Sequence, residues 1–329
     1  MSATHTSTSP IFVVGAPRSG TTLLATLLNR HQRIAAAPES HYIRFWMRKH
    51  PGDPASDEHF ERFWRAFSGS DRFKQFELDA NEVRERIERV RPRTWRSVFD
   101  GLMSAYAEAR GRPRWAEKTP DHFQHLPRLF EWYPDARVLF VVRDPRAVAA
   151  STARSPWGND DYAGHAYRWR RSIGVLEGLA GDERVMRVRY EDLVTDPEPT
   201  LRAVCEHIGE AFDPAMLEAG DEATPGAKAG SAKGEWAAEH FRRASGAVNT
   251  ESLEKWRKQM SPAQVRDVEA VAGHKLREQG YEASEHAPGA IGRMGVLFPL
   301  AMRRVVFRAT HKVRGVTTRS EPGVREEAR

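Results

Sequence analysis

The chain has 329 residues, 40% of them hydrophobic, enough apolar material for one large core or two small ones. A single cysteine, Cys205, excludes an intrachain disulfide and a thiolate zinc cluster, and suits a reducing cytoplasm. The formal net charge of +6 belongs to the tail: residues 286–329 carry nine Lys or Arg against three Glu, and residues 1–285 carry 42 basic against 42 acidic side chains. The body therefore has no broad basic face, and no nucleic-acid partner is expected.

Residues 1–10, MSATHTSTSP, are polar and precede too short an apolar run for a signal-peptide core or a membrane span, so a disordered lead-in is expected. Ile11–Gly15 reads as a short buried strand, and Thr21–Arg30 as a helix with Leu23, Leu24, Leu27 and Leu28 on its apolar face. Arg33–Ala37 reads as a second short strand. Residues 41–112 form a helical insertion crowded with aromatic and basic side chains, among them Phe45, Trp46, Phe60, Phe63, Trp64 and Phe67. Aromatic stripes at helical spacing are core more often than binding surface, and the insertion is also a candidate pocket wall.

Arg137–Val142, RVLFVV, is a continuous apolar run of the kind found in a strand buried on both faces. Asp144 can cap and Pro145 can open the helix after it. Arg184–Tyr190 reads as a further strand, followed by a turn and an amphipathic helix. Strands alternating with helices predict a three-layer α/β domain over residues 11–285, with a central parallel sheet of the P-loop NTPase type plus the helical insertion. Gly220–Ser245, rich in Gly, Ala, Lys and Glu, is expected to be a long loop and a candidate lid. The basic tail, 286–329, is interrupted by Pro299 and cannot span a bilayer. Four readings stand for it: peripheral contact with an anionic membrane, a grip on an acidic partner, a dimer contact, or a helix docked on its own domain.

The segment GAPRSGTT, Gly15–Thr22, follows a strand and opens a helix, so backbone N–H groups and the helix dipole converge there on an anion. A triphosphate loop carries Lys and then Ser or Thr after its last glycine, whereas Thr21 and Thr22 follow Gly20 here. The ligand expected is an anion with one critical linkage, held by Arg18, the loop N–H groups and the two threonine hydroxyls, without metal. Arg143 stands at the carboxyl end of the RVLFVV strand, where open α/β sheets bind ligands, and Ser151 lies about two turns into the following helix, so the two can grip another phosphate. Glu39, in AAAPESHYI, is a candidate general base that also reads as a helix N-terminal acid. His41, His122 and His125 compete with it.

GAPRSGTTLL resembles the 5′-phosphosulfate loop, and RVLFVVRDPRAVAASTARS the 3′-phosphate segment, of sulfotransferases that use 3′-phosphoadenosine 5′-phosphosulfate (PAPS). EKTP at Glu117–Pro120, RYEDLV at Arg189–Val194 and VNTESLEKW at Val248–Trp256 extend the resemblance over roughly residues 11–282, in the style of the protein-tyrosine sulfotransferase branch and its bacterial relatives. The resemblance implies PAPS as donor cosubstrate and metal-independent in-line transfer to an acceptor hydroxyl on a sugar, lipid, phenol or tyrosine. It implies that Pro17, Arg18, Ser19, Gly20, Thr21, Thr22, Arg143, Ser151 and Tyr190 bind the donor. Glu39 is then the base, and Lys118 and Arg18 stabilise the leaving phosphate. One departure concerns HFRRASGAVN, where no lysine stands before the VN segment; Arg242, Arg243, Ser245 or Lys233 would have to close the donor site. Two other functions stay open at this point: a P-loop phosphotransferase using nucleoside triphosphate, and a non-catalytic nucleotide-binding protein that docks on membranes through its tail.

Overall fold

The computed structural model describes residues 9–218, 250–289 and 294–296. These fall into two compact units, one built from residues 9–15, 20–142 and 179–218, the other from 16–19, 143–178 and the described residues after 249.

The first unit contains the sheet. Five strands, β1 (Ile11–Gly15), β2 (Ile34–Ala37), β3 (Arg114–Lys118), β4 (Arg137–Val142) and β5 (Val185–Arg189), pair in the order β2-β3-β1-β4-β5, and all four pairings are parallel. β1 is buried at every position, and Ile11 stands in register with Ala116 on one side and Arg137 on the other. The expected bounds of β1, of β4 and of helix α1 (Thr21–Arg30) hold, while β2 and β5 are each shorter than their expected runs. The parallel α/β sheet is as expected. β3 was not foreseen as a strand. Its sequence, RWAEK, has no apolar run, yet Ala116, Glu117 and Lys118 are buried as thoroughly as β4.

The insertion is helical, comprising a π-helical turn (Tyr42–Met47), α2 (Asp57–Ser68), α3 (Asp71–Lys74), α4 (Ala80–Glu88) and α5 (Trp95–Glu108), and α6 (Leu126–Trp132) lies between β3 and β4. Ser56 caps α2 by accepting the His59 N–H, and Phe60, Phe63, Trp64 and Phe67 follow at helical spacing on one buried face. Phe63 stacks on Phe67 at 5.5 Å, and Trp46 meets Phe67 edge-on at 5.0 Å. Each buried ring contributes about 1.5–3 kcal/mol relative to exposure, so the aromatic stripe is core. Phe45, 37% exposed, is the exception.

In the second unit Asp144 caps α7 (Pro145–Ala153) by accepting the Arg146 N–H, and Pro145 takes the first turn, as the sequence predicts. Arg146 is buried against Asp144 at 2.6 Å and Glu269 at 2.8 Å, and it lies over the Trp256 ring. α8 (Tyr162–Gly178) and the helix Pro262–Ala272 complete a core of Ala149, Ala150, Ala166, Val268 and Val271. No helix among the described residues is long and apolar enough to cross a membrane. The tail beyond Val296 and the expected lid, with Lys233, Arg242, Arg243 and Ser245, lie outside the described residues.

Candidate active site

Between β1 and α1 the chain turns through positive φ at Gly15, Arg18 and Gly20. At Gly20, with φ of 105°, a Cβ would overlap the ring of Tyr190, so the position needs glycine for conformation and for room. Tyr190, buried where α9 (Tyr190–Thr195) follows β5, thus supports the loop glycine directly. No side chain caps the N-terminus of α1, whose first-turn N–H groups have no intrahelical acceptor. The Ser19 hydroxyl is fully buried and has no hydrogen-bond partner among the described residues. A buried donor without a partner in this segment calls for an explanation.

A lysine reaches the start of α1 from a neighbouring strand. β3 pairs with β1 so that Lys118 stands opposite Val13, and Lys118 Nζ donates to Thr22 Oγ1 at 3.3 Å on the first turn of α1. Lys118 Nζ also donates to Glu39 Oε1 at 2.6 Å, and His41 Nε2 lies 2.9 Å from Glu39 Oε2. Ala37 at the end of β2 pairs with Glu117, which brings Glu39, two residues on, beside the end of β3. Burial alone would raise the Glu39 pKa, but Lys118 first, then His41 and Arg72, hold it well below the ordinary carboxylate value. The His41 pKa is lowered, chiefly by burial and next by Arg72, so the neutral ring donates its Nε2–H to an ionised Glu39.

Glu39 is therefore not a helix-capping acid. The turn starting at Tyr42 has no side-chain cap, and the Ser40 N–H donates to Glu117 instead. Glu117, within EKTP, has no role assigned from the sequence; Thr119 and His122 just after it, both able to hydrogen-bond a carboxylate, were the available signal. His122 is fully buried with Nδ1 2.9 Å from Glu117 Oε2. His125 is lowered to about 4 by burial first, then by His122 and nearby arginines.

The second unit gathers the remaining predicted residues. Arg18 Nε donates to Ser151 Oγ at 3.1 Å. Arg143 Nη1 donates to the Arg18 carbonyl at 3.3 Å and Nη2 to the Ser252 carbonyl at 2.8 Å, while Trp169 Nε1 donates to the Arg143 carbonyl at 2.8 Å. Two arginines and a serine from segments more than 120 residues apart in sequence form one cluster that displays guanidinium and hydroxyl groups suited to a phosphate. Pro17 sits in the loop beside them, and Thr21 is buried at the helix start.

Comparison with known proteins fits this chemistry. A profile of the sulfotransferase family matches residues 10–214. The nodulation protein NoeE of Sinorhizobium fredii is 30% identical over 316 residues, covering 85% of this chain and 68% of the relative. Protein-tyrosine sulfotransferase A of Caenorhabditis elegans is 24% identical over 290 residues, covering 85% and 70%. Among solved structures, the sulfotransferase domain from the curacin biosynthetic pathway shares the fold with a TM-score of 0.56 at 22% identity, over 83% of this chain and 98% of that one.

Proposed function

We propose that this chain, which belongs to the sulfotransferase family, transfers a sulfuryl group from PAPS to an acceptor hydroxyl, with Glu39 and Lys118 carrying the chemistry and Arg18, Arg143 and Ser151 reading the donor's phosphates. The observation that supports this most strongly is the Glu39–Lys118 pair, 2.6 Å apart, with Lys118 also on Thr22 at the start of α1. The acceptor oxygen forms its bond to sulfur as the bond from sulfur to the 5′-phosphate oxygen breaks. The electron pair leaves with adenosine 3′,5′-bisphosphate, and the hydroxyl proton passes to Glu39. Lys118 and Arg18 offset the charge growing on the leaving oxygen, and the N–H groups at the start of α1 hold the 5′-phosphate. Ser19, buried without a partner, supplies a further donor, and Pro17, Gly20 and Thr21 shape the cradle. Tyr190 keeps the loop closed beneath it.

The resting pair has a consequence for the base. While Lys118 holds Glu39, the carboxylate is ionised and weakly basic. Once the donor draws Lys118 to the leaving oxygen, Glu39 loses that stabilisation and becomes a better proton acceptor. Transfer needs no metal in this scheme, so activity survives a chelator. The acceptor hydroxyl belongs to a small molecule or a peptide.

Lys118→Ala removes a transition-state donor and is expected to lower turnover about 100- to 1000-fold. Glu39→Gln, which removes the base, is expected to lower it about 100- to 10,000-fold. Calorimetry with adenosine 3′,5′-bisphosphate should give both variants an affinity near that of the wild type. A fully active Glu39→Gln enzyme would transfer the role to His41. Mass spectrometry for sulfated products in cells with and without the protein identifies the acceptor.

A further inference from the structure

Directly behind the Glu39–Lys118 pair lies a buried carboxylate that takes no part in the scheme above. Glu117, Ser40, Thr119 and His122 are all 0% exposed. Glu117 Oε1 accepts three hydrogen bonds, from the Ser40 N–H at 3.3 Å, the Ser40 hydroxyl at 2.7 Å and the Thr119 hydroxyl at 2.5 Å. Oε2 accepts from His122 Nδ1 at 2.9 Å. Both hydroxyls pass the hold onward: Thr119 Oγ1 accepts the His41 N–H at 3.2 Å, and Ser40 Oγ accepts the Tyr42 N–H at 3.2 Å. One carboxylate thereby fixes three consecutive backbone N–H groups, those of residues 40, 41 and 42, immediately after Glu39.

We propose that Glu117 is a positioning residue for catalysis, clamping the segment that carries Glu39 to the strand that carries Lys118 so that the two side chains meet. The proposal rests on the assignment of Glu39 and Lys118 to the chemistry. Its partners are what separate it from an ordinary buried acid. Ser40 adjoins Glu39, Thr119 adjoins Lys118, and Glu117 itself precedes Lys118 on β3, where successive side chains point to opposite faces of the sheet. A shift of the β3 backbone at Glu117 therefore also moves Lys118, the next residue on the strand. A fully buried carboxylate is tolerable because it accepts four bonds, and a neutral side chain of the same shape cannot accept all of them.

Release of adenosine 3′,5′-bisphosphate from PAPS, with the acceptor that the product survey identifies or with water, tests the clamp. Glu117→Gln is expected to lower kcat roughly 10- to 100-fold, the effect of displacing a reacting group by about 1 Å, while KM for PAPS and the affinity for adenosine 3′,5′-bisphosphate stay within about 3-fold. Thr119→Val and Ser40→Ala, which each remove one hydroxyl from the cage, are expected to lower kcat in the same direction by less. They decide the matter if the Gln variant does not fold. In a Lys118→Ala background Glu117→Gln should add less than about 3-fold, because the pair it positions is already broken. Wild-type kcat in folded Glu117→Gln, or in both hydroxyl variants, overturns the proposal. So does a crystal structure of Thr119→Val with Lys118 still hydrogen-bonded to Glu39. If Glu39→Gln and Lys118→Ala are themselves fully active, the assignment beneath the proposal fails first. If those two are inactive and Glu117→Gln is not, the clamp alone is wrong.

Discussion

β3 and β4 flank the same central strand, lie in the same parallel sheet and are both deeply buried, yet they achieve burial by opposite means. β4 fills its environment with Val138, Leu139, Phe140, Val141 and Val142. β3 buries Arg114, Glu117 and Lys118, each satisfied by named partners: Arg114 by Glu210 at 3.1 Å and by the carbonyls of Ser9 and Ile208, Glu117 by its cage, Lys118 by Glu39 and Thr22. The apolar strand is stabilised by transfer from water, which is insensitive to direction. The polar strand depends on specific geometry, and Lys118, which we propose takes part in the chemistry, stands there.

The sharpest break of this comparison is Arg114→Ala, which leaves Glu210 with Arg33 alone and strands two carbonyls in the interior. It is expected to cost about 3–5 kcal/mol in urea unfolding. Replacing both partners, Arg114→Met with Glu210→Leu, should recover only part of that loss, since the Ser9 and Ile208 carbonyls stay unpaired and Arg33 loses its carboxylate. On β4, Phe140→Ala is expected to cost on the same scale, about 3–5 kcal/mol, while the molecules that remain folded keep their kcat. A smaller effect is expected at Gly20→Ala, where a positive φ and the Tyr190 ring oppose the methyl group. About 10-fold weaker binding of adenosine 3′,5′-bisphosphate by calorimetry is expected, in line with about 1–3 kcal/mol of backbone strain.

The smallest expected effect is on acid stability. Glu117 and Glu39 both have lowered pKa values in the folded protein: burial opposes this in each, and is outweighed by His122, Thr119 and Ser40 together for the first and by Lys118, His41 and Arg72 together for the second. Between an unfolded value of about 4.3 and the lower folded value the unfolded chain binds more protons. The stability these groups contribute is therefore complete above that unfolded value and is lost as pH falls through the folded one. Unfolding midpoints measured from neutral to acid pH should fall less steeply in Glu39→Gln than in the wild type. An unchanged slope would mean that Glu39 is not held by Lys118 in solution.

Legibility in the sequence follows the same division. RVLFVV, its Asp-Pro cap and the glycine loop between β1 and α1 were readable because each feature is local: a run, a cap, a turn. Arg18, Arg143 and Ser151 were singled out from those local frames, and the fold gathers them. RWAEK was unreadable as a strand because its burial depends on Glu210, Ser9 and Glu39, all remote in sequence. Glu117 was overlooked for the same reason, its partner Ser40 being 77 residues away.

By itself the sequence determined the α/β alternation, the anion-binding loop without its own lysine, and the chemical types available for the reaction, because hydrophobic runs, caps and glycines act over a few residues. Only the tertiary structure decided that Lys118 would stand beside that loop's helix, and that it would meet Glu39, 79 residues distant. Parallel strand register set that meeting, and register is a property of paired strands that no single segment contains.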